Sequence, residues 1–159
     1  MTEVSINKQA RLSEHFTLAE LCKTSVKTED GNIPSRVYIE NLKRLCGWLE
    51  MLRDEWNRPY GEGDEPIIIN SGYRSEAVNK AVGGVKGSNH LTGCAADIRV
   101  AGLEQALRYA VILLDISDES GEAFDELLLE RGSKGNYWLH FAVRPPSGDN
   151  RRKVRMIQA

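Results

Sequence analysis

A histidine and an aspartate stand seven residues apart in a glycine-rich stretch near the middle of the chain. The segment SNHLTGCAAD contains His90 and Asp97, with the small residues Gly93, Ala95 and Ala96 between them. A neutral imidazole and a carboxylate are ordinary zinc ligands, and a catalytic zinc site needs three protein ligands and an open position for water. The pair therefore indicates two ligands of a metal site.

The chain offers few candidates for the third ligand. Its other histidines are His15 and His140, and His140 lies in the apolar segment WLHFAV, which has the composition of a strand and would hold a side chain rigidly. Cys94 is close enough in sequence to supply a thiolate, but it lies among small residues, where packing is the simpler interpretation. His15 has no comparable surroundings, and we expect it to be structural.

The composition favours one globular domain. A chain of 159 residues with 41% hydrophobic content can bury roughly two thirds of its unfolded surface. The net charge is −2, from 21 basic and 23 acidic side chains, so no basic excess favours a nucleic acid or an anionic membrane as partner. No stretch approaches the ~18 apolar residues of a membrane span. We expect a monomer with no nucleic-acid or membrane partner.

Cysteine usage and the start of the chain bear on the compartment. The three cysteines have neither CxxC spacing nor the density of a disulfide scaffold, which indicates reduced thiols. The first fifteen residues lack the apolar region of a secretory signal. We therefore expect cytoplasmic synthesis without a signal peptide, so that action outside the cytoplasm would need another route.

Before the central stretch, the sequence predicts an arm, a short helix, a surface loop and a long helix. We expect residues 1–14 to form a flexible arm. Thr17 and Glu20 occupy the capping-box positions of a helix start. Residues 23–35 are rich in turn formers, which predicts a surface loop. Over residues 36–56 apolar side chains recur every three or four positions, which predicts one long amphipathic helix.

The central stretch alternates strand and helix signals. A β-branched run over residues 66–70 predicts a buried strand, and Ser75 can cap a short helix that ends at residue 81. A glycine-rich loop then carries His90, and residues 95–100 form a predicted strand with Asp97. An apolar stripe over residues 103–114 predicts another helix, closed by the polar run that follows.

The last part of the domain is predicted to be a hairpin. Residues 124–130 and 137–143 are strand-like runs joined by RGSKGN, whose glycines and polar residues suit a turn. The basic tail, residues 147–159, is expected to be a solvated terminus or an edge strand.

The hairpin register places a carboxylate near the third histidine. If Glu130 lies opposite Trp138, then Leu128 faces His140. Because side chains alternate along a strand, Glu126 and Glu130 then share the face of His140.

Four motifs in this order resemble those of a known family: SGYRS at residues 71–75, Gly83-Gly84, SNHLTGCAAD, and Trp138-x-His140. They are similar to the zinc D-alanyl-D-alanine carboxypeptidase family, which includes phage-type peptidoglycan endopeptidases and D-Ala-D-Ala dipeptidases. The capped helix start and the long helix precede them in the same order. The resemblance implies an α+β domain over residues 15–146, with a small, mainly antiparallel sheet and flanking helices, as in the Hedgehog signalling domain.

The resemblance also implies the residues of the site. One zinc ion would be held by His90, Asp97 and His140. Arg74 would act on the substrate, by binding a carboxylate or by stabilising the tetrahedral oxyanion. Further candidates for substrate binding are Ser88 and Tyr73.

The general base is where the sequence departs from many relatives. They carry an acidic or basic group three residues before the last histidine, and this chain has Tyr137 there, a poor base at neutral pH. Glu130 is the first choice for the base, because it lies near the end of the hairpin on the face of His140. Glu126 is the second choice.

These inferences lead to an expected activity. The resemblance implies a zinc metallopeptidase that cleaves a peptide bond in peptidoglycan or peptidoglycan-derived stem peptides, at a D-amino acid, with carboxypeptidase and endopeptidase action both open. Action on the wall would follow phage-type release. Two alternatives remain. Tyr137 keeps open a zinc-containing binding module without turnover, and the missing signal peptide suits an intracellular D-Ala-D-Ala dipeptidase equally well.

Overall fold

The computed structural model describes residues 7–159, and the first six residues of the predicted arm lie outside the described residues. The described chain forms four α-helices, one short 3₁₀ helix and five strands. In chain order these are α1 (Leu18–Leu21), α2 (Arg36–Asn57), β1 (Ile69–Ser71), α3 (Glu76–Ala81), the 3₁₀ helix (Asn89–Thr92), β2 (Ala95–Arg99), α4 (Leu103–Ser120), β3 (Glu126–Arg131), β4 (Tyr137–Ala142) and β5 (Lys153–Gln158).

The five strands form one sheet in the order β1-β2-β4-β3-β5. Every neighbouring pair is antiparallel except β3 and β5, which are parallel. The predicted α+β fold with a mainly antiparallel sheet is therefore confirmed. Strand β5 lies in the predicted tail, which takes the edge-strand form, so the sheet extends beyond the predicted boundary at residue 146.

The two faces of the sheet have different roles. Alternate residues such as Leu127, Leu139 and Phe141 are buried in the core, which helices α2 and α4 share with one face of the sheet. The opposite face carries the polar residues of the hairpin. The predicted register is confirmed, with Glu130 opposite Trp138 and Leu128 opposite His140.

The helix starts follow their predicted caps. Thr17 and Glu20 form a complete capping box at α1, and the Ser75 hydroxyl accepts the N–H of Val78 in the first turn of α3. The predicted end of α4 was wrong, since the helix continues through the polar run to Ser120. Its last turns hold Ile116 in the core, and this packing outweighs the polar composition.

No helix among residues 7–159 is both long enough and apolar enough to cross a membrane.

The segment before β2 runs close to other backbone segments. His90, predicted on a loop, lies in the 3₁₀ helix, and the Ser88 hydroxyl accepts its backbone N–H. Gly93 ends this helix with φ +72°, and a Cβ atom there would lie 2.6 Å from the Tyr38 carbonyl oxygen of α2. Two features therefore require glycine at this position, the left-handed backbone conformation and the close approach to α2.

We predict that Gly93→Ala destabilises the protein more than Gly83→Ala does. Gly83 has the same φ of +72°, but no atom lies within 4 Å of the position that a Cβ would take there. Its substitution therefore costs only the left-handed strain of about 1–2 kcal/mol. Gly93→Ala adds a backbone clash of roughly 1–3 kcal/mol. Urea unfolding of both variants measures the difference, and equal losses would contradict the close-approach explanation.

Candidate metal centre

Three side chains from three separate elements converge on the face of the sheet opposite to helices α2 and α4. Asp97 on β2 lies directly opposite His140 on β4, and His90 reaches them from the 3₁₀ helix. One ligand atom of each residue lies within 4.8 Å of the others. The predicted ligand set is thus brought together, while His15 lies elsewhere, with its Nδ1 2.7 Å from a Glu50 carboxylate oxygen.

The spacing of these atoms suits a single small cation. Oδ1 of Asp97 lies 3.0 Å from Nδ1 of His140 and 3.4 Å from Nε2 of His90. Ligands about 2.0–2.1 Å from a tetrahedral zinc ion are about 3.3 Å apart. Two imidazoles and one carboxylate are also a donor set that zinc accepts, so the residues present fit this metal.

The two histidines present opposite ring nitrogens to the centre. Nδ1 of His90 lies 2.7 Å from the Gly72 carbonyl oxygen, so this nitrogen donates its proton there and Nε2 is left to bind. His140 has the reverse arrangement, with Nδ1 towards Asp97 and Nε2 3.1 Å from Oε1 of Glu126. Each histidine is therefore oriented by a hydrogen bond on its far side.

The electrostatics of the centre favour a cation. Burial raises the pKa of Asp97, but hydrogen bonds with His140 and His90 outweigh it and hold this pKa far below its ordinary value. Burial lowers the pKa of His140, but the hydrogen bonds to Asp97 and Glu126 outweigh it and raise the pKa to about 9. The carboxylates of Asp97 and Glu126 thus stabilise a positive charge at the position of His140.

Arg74 lies beside the centre and is held in place. Its guanidinium donates to Ser71 Oγ at 3.2 Å, to Asn79 Oδ1 at 3.2 Å and to Asp97 Oδ2 at 3.4 Å. Its backbone N–H donates to the His90 carbonyl. Three of the five guanidinium N–H groups are used in these bonds, which leaves two for a ligand.

The two hairpin carboxylates have different environments. Glu130 accepts a hydrogen bond from the Trp138 indole at 2.7 Å, and burial, followed by the charge of Asp97, raises its pKa. The hydrogen bond from His140 lowers the pKa of Glu126. Tyr137 packs against the core, on the face opposite to His140, because side chains alternate along β4.

The other predicted substrate contacts lie near the centre but have structural partners. Tyr73 is buried in the core, 6% exposed, with its ring 6.0 Å from that of Tyr38. The Ser88 hydroxyl accepts the backbone N–H of His90. A role in substrate binding stays a prediction for both residues. Cys94 is buried and does not belong to the ligand group.

One buried residue near the centre was not anticipated from the sequence. Asn32, in the predicted surface loop, is 1% exposed and has φ +53°. Its amide donates to the Cys22 and Tyr73 carbonyls and accepts from the Ser75 N–H at 2.7 Å, so it fixes the backbone on both sides of Arg74. An asparagine in the turn-rich run KTEDGN gives no signal of such burial.

Comparison with known proteins was consistent with this centre. A family model described as Peptidase M15 matches residues 14–115, a range that includes His90 and Asp97 and ends before His140. The zinc D-Ala-D-Ala carboxypeptidase of Streptomyces albus G is 32% identical over 84 residues, which is 53% of this chain and 31% of that protein.

We predict that the purified protein binds about one equivalent of zinc. His140→Ala should lose most of the metal, because it removes the ligand that β4 contributes. Elemental analysis after dialysis measures the content. His15→Ala is the control and should retain the full equivalent, and full retention by His140→Ala would contradict the ligand assignment.

Proposed function

Because this chain belongs to the peptidase M15 family, we propose that it is a zinc metallopeptidase that hydrolyses a peptide bond in peptidoglycan or in peptides derived from it. The observation that carries the proposal is the convergence of His90, Asp97 and His140 on the sheet face that also bears Glu130. The name of the Streptomyces relative supports a bond at a D-amino acid.

Zinc held by the three ligands would lower the pKa of water and polarise the carbonyl group of the scissile bond. The chain's own residues must then handle the proton and the charge of the reaction. Asp97 contributes one negative charge to the ligand set, and the two histidines contribute none when they bind through neutral rings. With zinc bound, the centre would therefore keep a net positive charge towards the carbonyl oxygen.

Glu130 is the residue that we assign as general base. It lies on the same face of the sheet as His140, and burial raises its pKa above the ordinary carboxyl value. A general base is more effective when its pKa lies closer to the pH of the reaction. The Trp138 indole holds one of its oxygens, which leaves the other oxygen to accept a proton from the attacking water and pass it to the departing amine. Glu126 is less suited, because it is engaged by His140.

Arg74 is the residue that we assign to substrate recognition. Its guanidinium is fixed by Ser71, Asn79 and Asp97, so its two remaining N–H groups have a defined direction. A planar fork of this kind binds a carboxylate or stabilises an oxyanion better than the point charge of a lysine does.

We predict that Glu130→Gln retains zinc but loses activity by about 100-fold or more, because the amide can still accept from Trp138 but cannot carry a proton. The measurement is a digest of purified cell wall and of short stem peptides, read by mass spectrometry so that the cleaved bond is identified.

Glu126→Gln is the matched control in the same digest, and we expect a smaller loss. A larger loss in Glu126→Gln than in Glu130→Gln would transfer the role of base to Glu126. A zinc-loaded parent that cleaves neither substrate set would contradict the peptidase assignment and favour a binding module.

We also predict that Arg74→Lys keeps the fold and the zinc content but is markedly slower on the same peptides. The ammonium group can retain a charge near Asp97 but cannot present two parallel N–H groups to a carboxylate or an oxyanion. Steady-state kinetics on the peptide identified by the digest measures the effect. Activity equal to that of the parent would show that fork-like recognition is the wrong explanation.

A further inference from the structure

The ligand His140 is connected to the C-terminal crossover by a chain of buried polar contacts. The crossover consists of residues 143–152, between β4 and β5. We propose that Glu126 is a positioning residue that fixes the metal-binding tautomer of His140 and is itself fixed, through Asn89 and Asp125, by Arg151 of the crossover. The proposal rests on the metal centre of the proposed function.

The first step concerns the imidazole of His140. A neutral histidine carries one ring proton, and the partner of one nitrogen decides which nitrogen is free to bind a metal. Glu126 Oε1 lies 3.1 Å from Nε2, and a carboxylate can only accept there. Nδ1 faces a second carboxylate, with Asp97 Oδ1 at 3.0 Å. When Nδ1 and Asp97 both bind a cation, the one remaining ring proton is on Nε2 and Glu126 is its acceptor.

The same contact separates Glu126 from the metal ligands. Nδ1 and Nε2 point to different sides of the ring, so Glu126 lies on the side of His140 away from Asp97. Glu126 is also absent from the group of ligand atoms within 4.8 Å. It thus acts through His140 rather than on the metal.

The second step concerns what holds Glu126. The amide of Asn89 donates to Glu126 Oε1 at 2.6 Å and to Asp125 Oδ2 at 2.7 Å, so both of its protons are used. The side-chain Oδ1 of Asn89 accepts a hydrogen bond from Arg144 Nε at 3.0 Å. Because Asn89 precedes His90 in the 3₁₀ helix, one amide connects the surroundings of two metal ligands.

The third step concerns the far end of the chain of contacts. The Asp125 side chain is fully buried and accepts three hydrogen bonds from Arg151, from the backbone N–H at 3.0 Å, from Nε at 2.9 Å and from Nη2 at 2.8 Å. Arg144 lies 3.3 Å away. Two arginines of the crossover thus balance Asp125 and Glu126, and Nη2 of Arg151 also lies 3.7 Å from Glu126 Oε2.

The first test compares zinc affinities, measured on the full chain by competition with a chromophoric chelator. Glu126→Ala should bind zinc about 10–100-fold more weakly than the parent, the usual effect of losing such a supporting contact. Glu126→Gln should lose less than about tenfold, because its amide oxygen can still accept the Nε2 proton. Equal affinity of Glu126→Ala and parent would overturn the proposal.

The second test addresses the crossover with a matched pair of neighbours. Arg151→Met removes the partner of Asp125 and should weaken zinc binding. Arg152→Met is the control, because the Arg152 guanidinium instead contacts Ser117 and Asp118, and it should bind zinc as the parent does. Equal effects of the two variants would overturn the link to the crossover, and this pair decides alone if Glu126→Ala does not fold.

The third test is spectroscopic. In ¹⁵N-resolved NMR of the zinc-loaded parent, His140 should carry its proton on Nε2. In zinc-loaded Glu126→Ala this proton should exchange faster with solvent, because it has lost its acceptor. An unchanged His140 signal in Glu126→Ala would overturn the proposal. A parent that binds no zinc would overturn both proposals. A parent with the expected affinities but no cleavage would support the positioning role and remove only the peptidase assignment.

Discussion

The proposed metal centre depends on a single oxygen atom. Oδ1 of Asp97 lies between Nδ1 of His140 and Nε2 of His90, and the first of these contacts exists because Asp97 pairs with His140 across β2 and β4. A shift of this pairing by one residue would move one ligand to the core face of the sheet. The alternation that buries Ala96, Ile98, Leu139 and Phe141 therefore also fixes the distance between two ligands, because such a shift would expose these apolar side chains.

The third proposed ligand requires a different kind of support, since His90 lies outside the sheet. Its short 3₁₀ helix is placed by backbone contacts rather than by a hydrophobic stripe. The His90 carbonyl accepts the Arg74 N–H, the His90 ring donates to the Gly72 carbonyl, and Gly93 lets the helix end close to α2. Buried amides complete this support, with Asn32 on one side and Asn89 on the other. The protein thus combines a rigid strand pair with a densely hydrogen-bonded turn.

Whether the sequence predicted a feature depended on how far apart in sequence the interacting residues lie. Apolar periodicity predicted α2, and capping chemistry predicted the starts of α1 and α3, because both signals are local. The alternation of the hairpin predicted that Glu126 and Glu130 share the face of His140. The burial of Asn32 and the contact between Arg151 and Asp125 were not predicted, because each joins residues far apart in sequence. The same reason explains why Glu126 was considered only as a base, since its partner Asn89 lies 37 residues away.

The central claim is that one zinc ion is held by Nε2 of His90, Oδ1 of Asp97 and Nδ1 of His140. Anomalous diffraction at the zinc absorption edge, from crystals of the zinc-loaded protein, tests this claim most directly. We expect one strong peak about 2.0–2.2 Å from each of these three atoms. A peak bound to Nε2 of His140, or one that lies away from Asp97, would contradict the claim.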